Sequence, residues 1–336
     1  MKNRFPFIFM PLVLLLGACE ALFIPADSGT TPTAIFDEAW RFADREYTFF
    51  TYKNIDWNEV RNRYEPLVND DMSDEELFEV LGDMLFELRD GHVNLSSDFD
   101  ISRNWTWYLN SPPNYDGDVL QRNYFLDGQQ YVGSFILYDF GDVGYVLYRS
   151  FSGGISGSHL DYLINKFSDR KGLIIDVRNN GGGSLDNAYT FAARFVEEET
   201  YFGTVSTKTG PGHDELSAPV DQYIQPQENQ VSFLKPIVLL TNRRSYSATT
   251  FFTQMMRELP NVTVMGDTTG GGGGAPSDTE LSNGWVLRVS NTQLLAPNGF
   301  NVEDGIPPDE LVWQTEEDEA QDIDTILEAA LAKLRE

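Results

Sequence analysis

Cysteine and histidine are scarce in this chain of 336 residues, which has one cysteine and three histidines. A single cysteine excludes an intramolecular disulfide. Neither residue type occurs at the spacing of zinc ligands, so we expect no metal centre built on them. No glycine-rich segment continues into the lysine and hydroxyl residue of a phosphate-binding loop. We therefore predict that the protein works without a cofactor.

Basic residues are also few: 24 lysines and arginines stand against 52 aspartates and glutamates, giving a formal net charge of −28 at pH 7. Such a surface repels the backbone of DNA and RNA, which excludes nucleic acid as a partner. It also disfavours anionic substrates. Aromatic residues make up 13% of the chain, which favours a packed globule containing β-sheet.

The N-terminus has the features of an export signal. Lys2 and Arg4 precede a short apolar run, and the string LGAC ends at Cys19. The run is too short for a membrane span of about 20 residues. The string resembles the lipobox of bacterial lipoproteins, in which the cysteine is lipidated. We predict a signal peptide over residues 1–18, a tether over 19–33, and an exported protein anchored to a bacterial membrane through Cys19; a plain secretory signal is the alternative.

Hydrophobic periodicity divides the rest of the chain into two parts. Apolar residues recur at helical spacing up to about residue 90, and Ser73 and Glu76 have the spacing of a capping box. Beyond Gly144, buried-type strands alternate with helices, as in βαβ units with a parallel sheet. The predicted fold class is α/β (α+β overall): a small helical N-terminal domain over 34–95 and a βαβ-containing domain with additional strands over 96–336.

Three loops follow the apolar strands predicted at 171–178, 236–241 and 261–266. They contain residues 179–184, residues 242–247 and a run of five glycines, Gly270–Gly274. The carboxyl ends of parallel strands lie at one edge of a sheet, which is where ligands bind. We therefore expect these three loops to form one site.

A serine in the second loop has the local context of a nucleophile. Ser247 precedes a predicted helix, so the amide of Ala248 has no partner within that helix and could bind an oxyanion. A second donor could come from Gly182 or Gly183 of the neighbouring loop. Local pattern does not separate Ser247 from Ser245, and most serines after a strand are helix caps. His92 has the residue type of a general base.

An ordered set of strings resembles the C-terminal-processing and tricorn-type serine peptidases, and in particular lipoprotein members from Bacteroides-like bacteria. The resemblance covers residues 34–334. The strings are LRDGHVNL, GYVLYRSF, LIIDVRNNGGG, LLTNRRSYSATTFF, VMGDTTGG and NVEDGIPPDE.

The resemblance implies a ClpP/crotonase-like catalytic domain and residue roles within it. Ser247 falls on the nucleophile, and no lysine lies between it and the end of the glycine run, so the Ser–Lys dyad of the C-terminal-processing branch is unavailable. The tricorn-type branch uses a histidine and a glutamate, which match His92 and Glu303. Gly91 stands where the tricorn-type enzyme has a serine. The implied oxyanion donors are Gly182 and Ala248.

The sequence thus predicts a membrane-anchored serine peptidase that acts on peptides or proteins. Its substrate would contact the glycine loops, at Gly183, Gly270, Gly271 and Gly272. The interval between Leu95 and Gly144 is too short for a PDZ domain, so we predict none. Two alternatives remain: a lipoprotein that binds peptides or other ligands on the same fold without turnover, and a polysaccharide hydrolase using Trp105, Trp107 and Tyr108.

Overall fold

A computed structural model describes residues 29–105, 109–126 and 128–336. The predicted signal peptide, Cys19 and most of the predicted tether lie outside the described residues. Trp107 and Tyr108 lie outside them as well. Within the described ranges, no helix combines the length and the apolar composition needed to cross a membrane.

Among the described residues, three helices precede the first strand, and the later helices lie between strands or follow the last one. Their bounds are α1 Pro32–Glu46, α2 Trp57–Tyr64, α3 Asp74–Phe86, α4 Gly117–Val119, α5 Gly157–Phe167, α6 Leu185–Ala192, α7 Ala248–Arg257, α8 Glu316–Glu319 and α9 Thr325–Arg335. Helix α4 continues into a π-helical turn at Leu120–Phe125, and 3₁₀ turns occur at Glu65–Leu67, Ala193–Phe195 and Val302–Asp304. The predicted capping box of Ser73 and Glu76 is confirmed at the start of α3.

The strands form three sheets. Their bounds are β1 Asn94–Ser96, β2 Ile101–Arg103, β3 Gln130–Val132, β4 Phe135–Asp139, β5 Val143–Tyr148, β6 Gly172–Asp176, β7 Thr200–Thr207, β8 Val220–Ile224, β9 Ile237–Thr241, β10 Val262–Gly266, β11 Pro276–Glu280, β12 Val286–Ser290, β13 Thr292–Leu295 and β14 Glu310–Leu311.

The largest sheet has seven strands in the order β14-β10-β9-β6-β5-β4-β3. The pairs from β14 to β5 are parallel, and β4 and β3 add an antiparallel edge. Residues of β5, β6 and β9 are buried throughout, because helices cover both faces of the sheet. Helices α5, α6 and α7 pack on one face and α9 on the other. This confirms the predicted α/β class and parallel sheet.

The N-terminal helices share their core with a second sheet. Buried side chains of α1 and α3 pack against Val93 and Leu95, and also against Trp285, Leu287 and Val289 from a distant part of the chain. The second sheet has the order β11-β12-β1-β2, so its strands come from both sides of the predicted boundary at residue 95. The N-terminal unit is therefore completed by chain from the second half of the protein. Strands β13, β7 and β8 form the third sheet.

Candidate active site

The loop between β9 and α7 holds its last residue in a strained conformation. Ser247 has φ 58° and ψ −122°, a region that residues with a side chain rarely occupy. The Ser247 amide donates to the carbonyl of Gly271 at 2.9 Å, which fixes this conformation from the neighbouring loop. A strained turn from strand to helix is also how other hydrolases expose a nucleophilic serine.

His92 lies directly against this serine. Its Nε2 atom is 2.8 Å from Ser247 Oγ, although the two residues are 155 positions apart in the sequence. The His92 backbone is held by Asp90, whose Oδ1 accepts from the His92 amide at 2.8 Å. Asn94 Nδ2 donates to the carbonyl of His92 at 2.8 Å. The segment between α3 and β1 thus carries a fixed imidazole into the site.

The imidazole is suited to accept a proton at neutral pH. Burial lowers the pKa of His92, and the charges of Arg288 and Lys53 lower it further, while Asp90 and the Gly274 carbonyl oppose the shift. A neutral ring that accepts the Ser247 proton at Nε2 carries its own proton on Nδ1. Among the described residues, no hydrogen bond from His92 Nδ1 meets the usual geometric limits.

Glu303 is buried close to this pair, but its carboxylate contacts other groups. Its Oε2 accepts from the Gly273 amide at 2.9 Å, and its Oε1 accepts from Lys53 Nζ at 2.6 Å. No hydrogen bond joins Glu303 to His92 in the described structure. The glutamate that the resemblance implies therefore reaches the histidine only through its neighbours.

Lys53 is the functional candidate that the sequence analysis missed. Its Nζ bridges Glu303 and the carbonyl of Arg89 (2.9 Å), and it lies 3.9 Å from Asp90 Oδ2. The side chain is only 6% exposed, and both carboxylates are fully buried. The only sequence signal was a lone cation within the aromatic stretch that contains Phe49.

Lys53, Asp90 and Glu303 form a buried cluster with one cation and two carboxyl groups. Burial raises the pKa of Glu303 to about 8, and Asp90 adds to the increase, while Lys53 and the Gly273 amide oppose it. Burial lowers the pKa of Lys53, but the charges of Glu303 and Asp90 outweigh it, so the net shift is upward. Burial therefore favours the neutral form of Glu303, whereas its contacts with Lys53 and the Gly273 amide favour the charged form.

The loop after β6 places its glycines differently from the prediction. The Gly182 amide donates to Asn180 Oδ1 at 3.0 Å, so it already has an acceptor within its own loop. A Cβ at Gly182 would lie 2.8 Å from Ser247 Cβ, so only glycine fits this close approach. Gly183 lines the cavities on both sides of Ser247. The Ala248 amide lies in the first turn of α7, as predicted.

Most of the glycine run is buried behind the site, and of its five glycines Gly274 alone borders one of the two cavities beside Ser247. Gly270, Gly271 and Gly272 are buried and contribute to neither cavity beside Ser247. A Cβ at Gly271 would lie 1.8 Å from the carbonyl oxygen of Glu303, and one at Gly272 would lie 2.5 Å from the Tyr246 ring. The structure gives these three glycines a packing role, and substrate contact at them stays a prediction. They let two backbone segments pack closely, and thereby align Ser247 with Glu303.

The structure separates the two candidate serines. Ser245 is buried, and its Oγ donates to the Val177 carbonyl at 2.8 Å and accepts from the Asn242 amide at 3.1 Å. Ser247 Oγ contacts the imidazole and borders open space. Ser245 thus has a structural role in joining the loops after β6 and β9.

Two cavities meet at Ser247. The larger, of about 470 Å³, also contains His92, Trp105 and Arg244. The smaller, of about 250 Å³, is bordered by Leu185, Phe251, Ala275 and other residues near the start of α6. A serine, a neutral imidazole and unpaired helix amides between two cavities are the parts needed for nucleophilic attack on a bound carbonyl.

Comparison with known proteins identifies the family of the chain. Residues 142–312 match peptidase family S41, and residues 29–86 match the tricorn protease C1 domain. A probable CtpA-like serine protease from Staphylococcus saprophyticus is 29% identical over 175 residues, which are 51% of this chain and 34% of the relative. The match thus spans about a third of the length of that curated relative.

Solved structures extend the similarity to about nine-tenths of the chain. A candidate peptidase from Parabacteroides merdae is 44% identical with a TM-score of 0.86, and the match covers 91% of this chain and 97% of that one. Mature CPAF shares the fold at 13% identity, with a TM-score of 0.67 and coverage of 90% and 96%. The chain belongs to peptidase family S41, among the serine peptidases.

Proposed function

We propose that the protein hydrolyses peptide bonds with Ser247 as nucleophile and His92 as general base. The observation that carries the proposal is the 2.8 Å contact between His92 Nε2 and Ser247 Oγ at a strained turn between two cavities. His92 takes the Ser247 proton as the serine attacks the carbonyl carbon. It then returns a proton to the leaving amine, and water releases the acyl group by the reverse sequence.

Backbone amides at the start of α7 and in the loop after β6 stabilise the oxyanion. Ala248 supplies the first donor, because its amide lies beside Ser247 and has no acceptor in the helix. Gly183 supplies the second in place of Gly182, whose amide is occupied by Asn180. Each donor in such a site contributes about 10²- to 10³-fold in kcat.

Glu303 acts through the buried cluster and not by direct contact with the imidazole. Lys53 joins the glutamate to the Leu88–Arg89 carbonyls, which immediately precede Asp90 and His92. Lys53 and Glu303 are therefore positioning residues that hold the His92 segment against the nucleophile loop. Gly91 supports this arrangement through its carbonyl, which accepts from Trp105 Nε1 at 2.9 Å.

Labelling with a fluorophosphonate probe tests the assignment of the nucleophile. We expect wild type to label, and Ser247→Ala and His92→Ala not to label although they remain folded. Ser184→Ala is the matched control, since this serine borders the smaller cavity and makes no capping hydrogen bond. Ser245→Ala should still label, although its melting temperature should be lower than that of wild type because Ser245 joins two loops. Labelling of Ser247→Ala would contradict the proposal.

A second candidate function is peptide binding without turnover. It is favoured by the separation of Glu303 from His92, which leaves the imidazole without a carboxylate partner at Nδ1. In that case folded wild type would not label, and a peptide retained by the protein would bind Ser247→Ala with the same affinity.

We also propose that the protein is exported and anchored to a bacterial membrane through lipidated Cys19, with residues 20–33 as a tether. The support is the positive start, the short apolar run and the string LGAC. Partition of the full chain into Triton X-114, lost in Cys19→Ala, is the expected result. Equal partition of both forms would contradict it.

A further inference from the structure

The larger cavity beside Ser247 has a charge opposite to that of the molecule. The chain has 52 acidic residues against 24 basic ones, yet the described residues that line this cavity include Arg244 and Arg288 and no aspartate or glutamate. The imidazole, indole and amide side chains beside them are neutral. A negatively charged group entering this cavity therefore meets cations at short range.

Arg244 is the arginine placed to use this charge. It lies three residues before Ser247 in the same loop, and its backbone amide is fixed by Asn242 Oδ1 at 3.2 Å. Its Nε is buried without a hydrogen-bond partner, and within the described chain its guanidinium forms no ion pair within 4.0 Å. By contrast, Arg288 is paired with Asp278, and Arg243 donates to the carbonyl of Thr269 at 3.0 Å.

A half-buried guanidinium without a partner destabilises the folded protein, because burial removes water from the charge and no hydrogen bond or ion pair replaces that water. A carboxylate removes this cost, since its two oxygens match two parallel guanidinium N–H groups. We propose that Arg244 forms a carboxylate-binding subsite next to the nucleophile. The preferred peptides would carry a carboxylate near the scissile bond, from an acidic side chain or from a free C-terminus. This inference rests on the proposed peptidase function.

Three matched pools of synthetic tetradecapeptides distinguish these sources. The first pool has internal aspartate or glutamate and an amidated C-terminus; the second has no acidic residue and a free C-terminus; the third is the second pool amidated. Cleavage is followed by mass spectrometry with wild type, Arg244→Gln, Arg244→Lys and Arg41→Gln. Arg41 is exposed on α1 and borders neither cavity beside Ser247, so its variant controls for the loss of one positive charge.

We expect wild type to prefer the first or the second pool over the third, and the preferred pool identifies the source. Arg244→Gln should lose about 10- to 100-fold in kcat/KM on that pool, as expected for a lost charge-assisted contact. It should stay within about twofold on the third pool. Arg244→Lys should recover part of the loss, and Arg41→Gln should match wild type.

Fluorophosphonate labelling separates failure of the inference from failure of the proposed function. A probe without a carboxylate should label Arg244→Gln at the wild-type rate. The carboxylate subsite is wrong, and the peptidase assignment stands, if wild type labels but cleaves all three pools equally. The same holds if Arg244→Gln lowers kcat/KM equally on all three pools. If wild type neither labels nor cleaves, both fail together.

Discussion

His92 is the residue whose titration should limit activity in acid. General-base catalysis needs the neutral imidazole, and burial lowers the pKa of His92. The acidic limb of kcat/KM should therefore lie below the ordinary histidine value of about 6.5. Asp90 opposes that shift, so Asp90→Asn should move the limb to still lower pH. A pH profile of kcat/KM for both forms, over the range in which both remain folded, checks this. An acidic limb above pH 6.5 would contradict it.

Variants of Lys53 test whether this residue positions His92, because a residue that only stabilises the fold would change the melting temperature without a separate effect on kcat. Lys53→Met removes the cation between two buried carboxyl groups, so the melting temperature should fall and kcat should drop by about tenfold or more. The double variant Lys53→Met/Glu303→Gln removes one of the orphaned acids.

Partial recovery of melting temperature in the double variant, measured by calorimetry, is the expected result. Recovery of stability without full recovery of kcat would show that the link to His92 matters in addition to charge balance. Additive losses in the two single variants would instead mean that Lys53 and Glu303 act independently.

The charge state of Glu303 also predicts a pH dependence of stability. Its pKa is raised to about 8 in the folded protein, above the unfolded value of about 4.3. The folded state therefore holds more protons between these values, and its contribution to stability is present at low pH and lost as pH rises through about 8. As pH rises from 6 to 9, the melting temperature of Glu303→Gln should fall less than that of wild type. An identical slope in both forms would contradict this.

At the scale of elements, the loop after β6 must approach the start of α7 without a side chain between them. A Cβ at Gly182 would lie 2.7 Å from the Tyr246 carbonyl oxygen, and the residue has φ +98°. Gly182→Ala should therefore displace the nucleophile loop and reduce kcat by about 10²-fold. Gly181→Ala is the matched control, because its Cβ would enter open space. Equal activity of the two variants would exclude close packing as the role of Gly182.

The elements that the sequence predicted well are those with strong local signals. The buried apolar runs of β6, β9 and β10 gave adjacent parallel strands, and the loops at their ends meet as expected. The contact between Lys53 and Glu303 joins residues 250 positions apart and leaves no periodic signal. The sequence also does not show that Gly271 packs against the carbonyl of Glu303 and Gly272 against the ring of Tyr246, because such contacts depend on the tertiary fold.

At the scale of the whole molecule, the site joins two hydrophobic cores. Ser247 belongs to the seven-stranded sheet and its helices, whereas Lys53, Asp90 and His92 follow elements of the N-terminal core. The contacts of Glu303 with both sides therefore hold the two cores in register. Prediction of that joint from sequence would need the pairing of β1 with β12, which lies almost two hundred residues away.

Net charge governs how peptides approach this site. The molecule carries a formal charge of −28, whereas the charged side chains among the described residues of the cavity beside Ser247 are Arg244 and Arg288. Exposed charges act over about 30 Å at 0.01 M salt but only about 8 Å at 0.15 M, while contacts inside a cavity are screened less. For an acidic peptide, the distant repulsion should weaken with added salt more than the contact with Arg244 does.

We therefore expect kcat/KM for a peptide of charge −2 to rise about threefold or more between low and physiological salt. The value for an otherwise matched peptide of charge +2 should fall, and kcat at saturating peptide should change little, because salt acts mainly on association. A neutral peptide of the same length is the control. If salt slows the acidic peptide instead, then the arginines of the cavity dominate the approach even at long range, and the acidic exterior plays no part in choosing substrates.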